Sequence, residues 1–468
     1  MKNAKFNILK VLFFTYLFIY SFFSIKAQTS GLDKEDVKVI KGIYDESLTS
    51  RDTYKLLDHL CNKIGHRLSG SIGASKAVEW TEMIMNSYSF DKIYKQDLFV
   101  PNWKRGDKEE VKIVGQKDEE LNVLALGMSV STPKKGISAK VVEVQDIEDI
   151  EILGRDKIKG KIVFFNRPTD QRLISTGSAY GGAVDQRTAG PAEAAKYGAV
   201  AVVIRSIGTA FDDVPHTGVT RYVEGIKKIP AAALGVISAD RLTQALKNNP
   251  NVKLFIKMNC ETLGDAPSHN VVGELIGNEF PNEIITIGGH LDSWDVGQGA
   301  HDDGAGCMQS IQVLRLFQKL GIKPKRTIRA VMFMNEENGT RGGLKYAELA
   351  KKNSENHLIA LESDAGAFTP RGFGVTAEAS TIEKFRTWLP YFDRNTINYF
   401  KKGGGGVDID PLNRLLGTPT IGFIPDSQRM FDIHHSDNDS FDSVHPRELE
   451  LGTASIASLI YLIDKYGL

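Results

Sequence analysis

At 468 residues, 41% of them hydrophobic and 25% charged, the chain is long enough to bury a sizeable core spread over two or more domains. Its 58 basic and 58 acidic residues leave a formal net charge of +0 with no long Lys/Arg block, which removes any electrostatic case for a nucleic-acid partner. The three cysteines, Cys61, Cys260 and Cys307, are odd in number and widely spread, so they form no disulfide framework and read as small buried hydrophobes.

In chain order, Lys2, Lys5 and Lys10 precede an apolar and aromatic run from Val11 to Ile25, followed by Lys26-Ala27-Gln28. This pattern predicts a secretory signal peptide over residues 1–27, cut after Ala27. The run is shorter than the roughly 20 residues a membrane span needs, so the mature chain is expected to be secreted or periplasmic, without a stable membrane anchor. Residues 28–106 open the main domain, with helices expected over 56–61 and 74–88 and the loop Gly65-His66-Arg67-Leu68-Ser69-Gly70-Ser71 between them.

The chain changes character over 107–262. A Lys-Gly turn leads into the strand Ile162-Val163-Phe164-Phe165, and a helix over 190–198 with a glycine stop leads into a strand over 199–204. A strand over 229–234 then meets a helix over 238–246. This block holds no candidate ligand cluster and reads as a βα module inserted into the main domain, which resumes over 263–468.

In that second part, Ile284-Ile285-Thr286-Ile287 runs into His290, a strand over 327–334 runs into Glu336-Glu337, and Leu358-Ile359-Ala360-Leu361 runs into Asp364. Short apolar or β-branched runs of this kind are buried strands of a parallel sheet. Met308, Ile311, Leu314, Phe317 and Leu320 recur every third residue between the first two, a helix with Gly321 as its stop. A strand over 420–424 and a closing helix over 451–466 complete an α/β fold with a mostly parallel, mixed sheet flanked by helices.

Chemistry collects at those strand ends. Taken singly, Glu-Glu, Asp-Asp-Gly and His-His are ordinary turn or surface patterns, but acidic residues and histidines recur after strand after strand, where open α/β sheets gather their ligands. Imidazole and carboxylate are what zinc takes when thiolate is absent. A two-zinc hydrolase needs a bridging carboxylate, two further ligands on each ion and a carboxylate left over as base. His290 and Asp364 can hold one zinc, Glu337 and His435 the other, Asp302 can bridge, and Glu336 is left to deprotonate the bridging water. Asp292 is expected to accept the second ring proton of His290.

The pieces Gly-Gly-His290-Leu-Asp292-Ser, Gly-Ala-His301-Asp302-Asp303-Gly-Ala-Gly, Asn-Glu336-Glu337-Asn-Gly, Glu-Ser-Asp364 and His435-Ser-Asp-Asn-Asp439 resemble the zinc-dependent exopeptidases of the di-zinc aminopeptidase family. Arg67-Leu-Ser-Gly-Ser, His290-Leu-Asp-Ser-Trp-Asp-Val-Gly-Gln-Gly and the inserted module, which looks like a protease-associated domain, narrow the resemblance to the carboxypeptidase Q branch. It implies two Zn2+ per chain, the ligand roles above, a cis peptide after Asp302, dipeptide or short-peptide substrates with free ends, and a homodimer. The Asp four positions on selects His435 over the adjacent His434 as last ligand. The Gly-rich run Lys401 to Asp408 is a mobile loop on composition alone; the resemblance implies that Gly405 and Asp408 border the substrate pocket. His301 departs from several relatives and is expected to contact substrate or to do nothing. The reading that results is a secreted di-zinc exopeptidase. An aminopeptidase on longer peptides and a non-catalytic binding protein on the same scaffold are the alternatives.

Overall fold

The computed structural model describes residues 32–468, so the expected signal peptide lies outside the described residues. Eight strands form the sheet that carries the site: β1 (Lys92–Val100), β2 (Ala266–Leu275), β3 (Phe280–His290), β4 (Arg326–Phe333), β5 (Asn356–Glu362), β6 (Pro370–Thr376), β7 (Tyr399–Lys402) and β8 (Thr420–Pro425). Their spatial order is β1-β2-β4-β3-β5-β8-β6-β7. The central strands β4, β3, β5 and β8 are parallel, whereas β1 with β2, β2 with β4 and β6 with β8 are antiparallel. The mixed, mostly parallel sheet expected from the sequence is present. Because β3, β4 and β5 run side by side in one direction, the residues that follow them emerge at one edge.

Alternation along β4 shows why its second half is apolar on both faces. Ile328, Ala330 and Met332 enter the core on one face, and Val331 and Phe333 enter a second core with Val272, Tyr346 and Leu412 on the other. Each large side chain so buried contributes about 1.5–3 kcal/mol. On the first face the helices α1 (Lys34–Ser50), α2 (Ala305–Lys319) and α3 (Pro446–Tyr466) pack against one another. Met308, Ile311, Leu314 and Phe317 of α2 all face that core, and Gly321 follows the helix at φ 66, the left-handed conformation that a glycine stop supplies. α3 begins earlier than expected, at Pro446, because proline in the first turn of a helix sacrifices no hydrogen bond.

A second eight-stranded sheet draws all its strands from residues 110–257, with Ile162–Phe165, Ala201–Arg205 and Ala231–Leu234 as parallel neighbours near its centre. Ile162 and Phe164 pack on one side of it, Val163 and Phe165 on the other. The chain enters through Trp103–Lys104 and leaves through Glu261–Thr262, which pair with each other. All three cysteines are free and buried.

Candidate metal centre and active-site cavity

His290, the last residue of β3, places Nε2 3.1 Å from Asp302 Oδ1 and 3.5 Å from Asp364 Oδ1. On the opposite side, His435 Nε2 lies 3.3 Å from Asp302 Oδ2 and 3.0 Å from Glu337 Oε2. Asp302 therefore offers one oxygen to each of two histidine and carboxylate groups. Asp302 Oδ2 and Glu337 Oε1 are buried without a hydrogen-bond donor. Buried acceptors of this kind are what a bound cation satisfies, and the N and O donor set suits zinc.

His434 also reaches Asp302 Oδ2, at 3.4 Å, with its ring stacked on His435 at 3.5 Å between centroids. Only His435 of the two also meets Glu337. The Asp302-Asp303 peptide is cis, as the resemblance implies.

The loops that carry these groups are held by buried polar residues. Asp303 Oδ2 accepts the His290 amide at 3.1 Å and Oδ1 accepts that of Gly306 at 2.9 Å. Gly289 makes this approach possible, since a Cβ there would sit 2.2 Å from Asp303 Oδ2. Asp439 accepts the amides of Ala300, His301 and Asp302 at 3.1, 2.8 and 3.1 Å. The fully buried Arg67 donates to the carbonyls of Leu291, Gln298 and Gly299 at 2.8, 2.7 and 2.9 Å, and so shapes the loop between β3 and Asp302. Ser69 donates to Asn338 at 2.7 Å and accepts from Asn335 at 2.9 Å, which ties the same segment to the Glu336-Glu337 turn.

Asp292 differs from its expected role. His290 Nδ1 lies 2.9 Å from the backbone carbonyl of Asp292, not from its carboxylate. That carboxylate points instead to the turn after β4, accepting the amides of Asn335 and Glu336 at 2.6 and 3.1 Å. These amides turn the carboxylate away from the imidazole, and the Asp292 carbonyl meets the ring in its place.

Glu336 stands beside the two groups and lines a cavity of about 990 Å³ that also contains Asp302, Glu337, Asp364, His434 and His435. Burial raises the Glu336 carboxyl well above the ordinary range; His290 opposes that shift, while Asp364 and Glu337 reinforce it. Burial, with Asp302 reinforcing it, lifts Glu337 to about 7. For His290 burial opposes the charged form, but Asp364 and Asp302 outweigh it and raise the imidazole. The excess of carboxylate over imidazole makes the centre a place for cations.

Three expected substrate contacts lie elsewhere. His301 is 1% exposed, accepts the Ala367 amide on Nδ1 at 3.0 Å and stacks on Phe368, so it does not line the cavity. Of the Gly-rich loop, Val407 lines the cavity, while Gly405 and Asp408 do not. Gly406 lies so close to Glu362 that a Cβ would sit 2.0 Å from its carboxyl carbon, and Glu362 Oε2 accepts the amides of Asp408 and Ile409. That contact turns Asp408 into the interior, fully buried.

The loops and short helices around the second sheet supply what the sequence did not reveal: a wall of the cavity, including Met128, Tyr180, Arg187 and Tyr222. No spacing rule joins these residues to the strand-end motifs, because the chain brings them in from more than one loop.

The fold and site define a zinc metallopeptidase: paired imidazole and carboxylate groups at the ends of parallel strands, around one shared aspartate, with a free glutamate beside them. The sequence profile of peptidase family M28 matches residues 270–460. Carboxypeptidase Q of Bos taurus is 33% identical over 411 residues, covering 88% of this chain and 85% of that protein. The crystal structure of a peptidase M28 precursor from Shewanella amazonensis superimposes with a TM-score of 0.88 at 33% identity, covering 92% of this chain and 97% of that one. BSAP, a zinc aminopeptidase from Bacillus subtilis, shares the fold at 18% identity, a TM-score of 0.63 and 87% and 93% coverage. The chain belongs to peptidase family M28.

Proposed function

We propose that this protein is an exported exopeptidase that takes two zinc ions and hydrolyses dipeptides or short peptides with free ends. The observation that carries the reading is Asp302, with one oxygen toward His290 and the other toward His435. His290 and Asp364 would hold one ion, Glu337 and His435 the other, and Asp302 would serve both. When bound, the ions would supply Lewis acidity toward the scissile carbonyl and toward water.

The chain's own residues account for the proton. Glu336 faces the cavity and lies outside both ligand groups, and its raised carboxyl suits it to take a proton from water and return it to the departing amine. Asp292 fixes the turn that carries both glutamates by accepting the Asn335 and Glu336 amides, and of the two it is Glu337 that meets His435. A binding protein on the same scaffold would have no use for Glu336 in that position. The wall from the second sheet narrows the cavity, which favours short substrates. Among the described residues no helix is long and apolar enough to cross a membrane, and the Lys-rich, apolar N-terminus supports export. The same reading includes a homodimer, which sedimentation of the mature protein checks.

The test is hydrolysis of free, amino-blocked and carboxyl-blocked dipeptides and tripeptides by the zinc-loaded mature protein, with a chelated control. Chelator-sensitive cleavage of free dipeptides is expected. Cleavage of long peptides from the amino end at equal rates would replace this reading with an aminopeptidase, and no cleavage at all would end it.

A further inference from the structure

The wall facing the metal groups contains a cation that the protein leaves without an acid. Arg187, in the short helix Asp185–Thr188, lines the cavity and is 6% exposed. Its Nη1 donates to the Thr217 carbonyl at 3.2 Å, its Nε is buried with no acceptor, and no carboxylate pairs with it among the described residues. The adjacent Asp185 is already engaged by Arg167. A guanidinium enclosed in this way without a counter-charge is strongly unfavourable. Folds keep such a group where an anion arrives from outside.

The seat is built rather than incidental. The guanidinium rests on Gly218, at φ 128, where a Cβ would stand 2.3 Å from Nη1 and 2.4 Å from Cζ. Its other side lies over the Tyr180 ring, 5.5 Å from the centroid. Tyr180 in turn meets the edge of His434 at 5.0 Å, and His434 stacks on His435. Two aromatic rings therefore join the unpaired cation to the metal centre along one wall.

We propose that Arg187 is a specificity-determining residue that binds a carboxylate of the peptide whose scissile bond lies at the Asp302 centre. This rests on the peptidase reading above. A guanidinium with unused N–H groups is matched to a carboxylate, which accepts two parallel hydrogen bonds from it. Two parts of a peptide offer that group: the C-terminal α-carboxylate, and the side chain of Asp or Glu.

The experiment compares zinc-loaded wild type, Arg187→Met and Arg187→Lys on four matched substrates: a free dipeptide, its C-terminal amide, and Glu and Gln dipeptide amides. An amide keeps one acceptor oxygen but loses the charge-assisted hydrogen bond, a loss of about 10- to 100-fold in kcat/KM. Wild type should show that preference for the free acid over the amide. Arg187→Met should bring the ratio toward one, mainly through KM, and Arg187→Lys should recover part of it. Gly218→Ala, which displaces the guanidinium without removing it, should act in the same direction and guards against a misfolded Arg187 variant. Calorimetric binding of the free dipeptide to Glu336→Gln protein, with and without Arg187→Met, reads the same contact without turnover.

Collapse of the Glu-to-Gln ratio instead would support the seat and assign it to a side-chain carboxylate. Equal losses on all four substrates, or a wild type indifferent to the carboxylate while cleaving peptides, would overturn the proposal and leave the peptidase reading intact. Absence of cleavage of every peptide would strike that reading, and the binding comparison would then decide the role of Arg187.

Discussion

Replacing Asp439 by asparagine should loosen the Asp302 carboxylate without touching it. Asp439 Oδ1 accepts the amides of Ala300 and His301, and Oδ2 accepts that of Asp302 at 3.1 Å. An asparagine that keeps its oxygen toward the first two turns an NH2 toward the Asp302 amide, so a charge-assisted bond becomes a contact between two donors. The flipped rotamer loses two bonds instead. A hydrogen bond to a charged group contributes about 1.5–3 kcal/mol, and about 1.4 kcal/mol is a factor of ten in affinity. With that cost falling on the segment that positions Asp302, zinc affinity should drop about 10- to 100-fold, the range associated with partners of metal ligands. The assay is competition for zinc against a chelator of known affinity. It is run in buffer more alkaline than the pKa of about 7 to which burial, reinforced by Asp302, lifts Asp439. Thermal unfolding of the chelated proteins, run alongside, separates local from global loss. Zinc affinity within about threefold of wild type would refute the claim that Asp439 sets the position of Asp302.

Three further outcomes follow from the same geometry. Glu336→Gln should retain near-normal zinc, because Glu336 lies outside the clusters Asp302-His434-His435 and His290-Asp302-Asp364, and should lose about two orders of magnitude or more in turnover; normal turnover would remove its role as base. Asp302→Ala should lose metal from both groups, since both share that residue, and retention of two zinc ions by elemental analysis would disprove bridging. For Glu355, burial favours the neutral acid, but hydrogen bonds from His357 and Arg329 outweigh it and bring the carboxyl to about 2. Its folded pKa lies below its ordinary value, so its contribution is present above the ordinary carboxylate range and fades as pH falls toward about 2. Glu355→Gln should flatten the acid limb of the stability profile of the chelated protein, and an unchanged limb would count against the pairing.

How much was legible depended on whether a residue acts through type and local spacing or through a distant partner. β3, β4 and β5 could be read because strands buried on both faces carry short, mainly apolar runs such as Ile284-Ile285-Thr286-Ile287 and Leu358-Ile359-Ala360-Leu361, and His290, Glu336 and Asp364 could be read because they stand at or just beyond the strand ends. Arg67, Asp303 and Asp439 could be quoted as motif members, but their work could not be read. Each binds backbone amides or carbonyls, which carry no sequence signal. Asp292 was misassigned for the same reason: its carboxylate is satisfied by main-chain donors 43 and 44 positions away. Asp408 was placed at the pocket by analogy with a loop, whereas the approach of Gly406 to Glu362 turns it inward.

The chain around the second sheet shows the deepest limit of local reading, because it bears none of the strand-end histidines and carboxylates and yet holds His435 in place. The amide of Thr217 donates to the His435 carbonyl at 2.8 Å, Thr209 Oγ1 donates to Asp432 at 2.6 Å, and Thr176 Oγ1 donates to the Ser427 carbonyl at 2.9 Å. These bonds clamp the segment that ends in His434 and His435, a segment with only two short helical turns of its own, Ser427–Arg429 and Met430–Ile433. Trp294, from the loop after β3, is buried in the core of the second sheet against Gly127, where a Cβ would stand 1.9 Å from the indole, and its ring meets His435 edge-on at 5.7 Å. His435 sits at φ 59, an unfavourable conformation for a side chain of its size, and the surrounding contacts must hold it there. The segment that holds no candidate ligand cluster in the sequence is therefore part of what positions His435, and the chain expressed without it should not be expected to keep His435 beside Asp302.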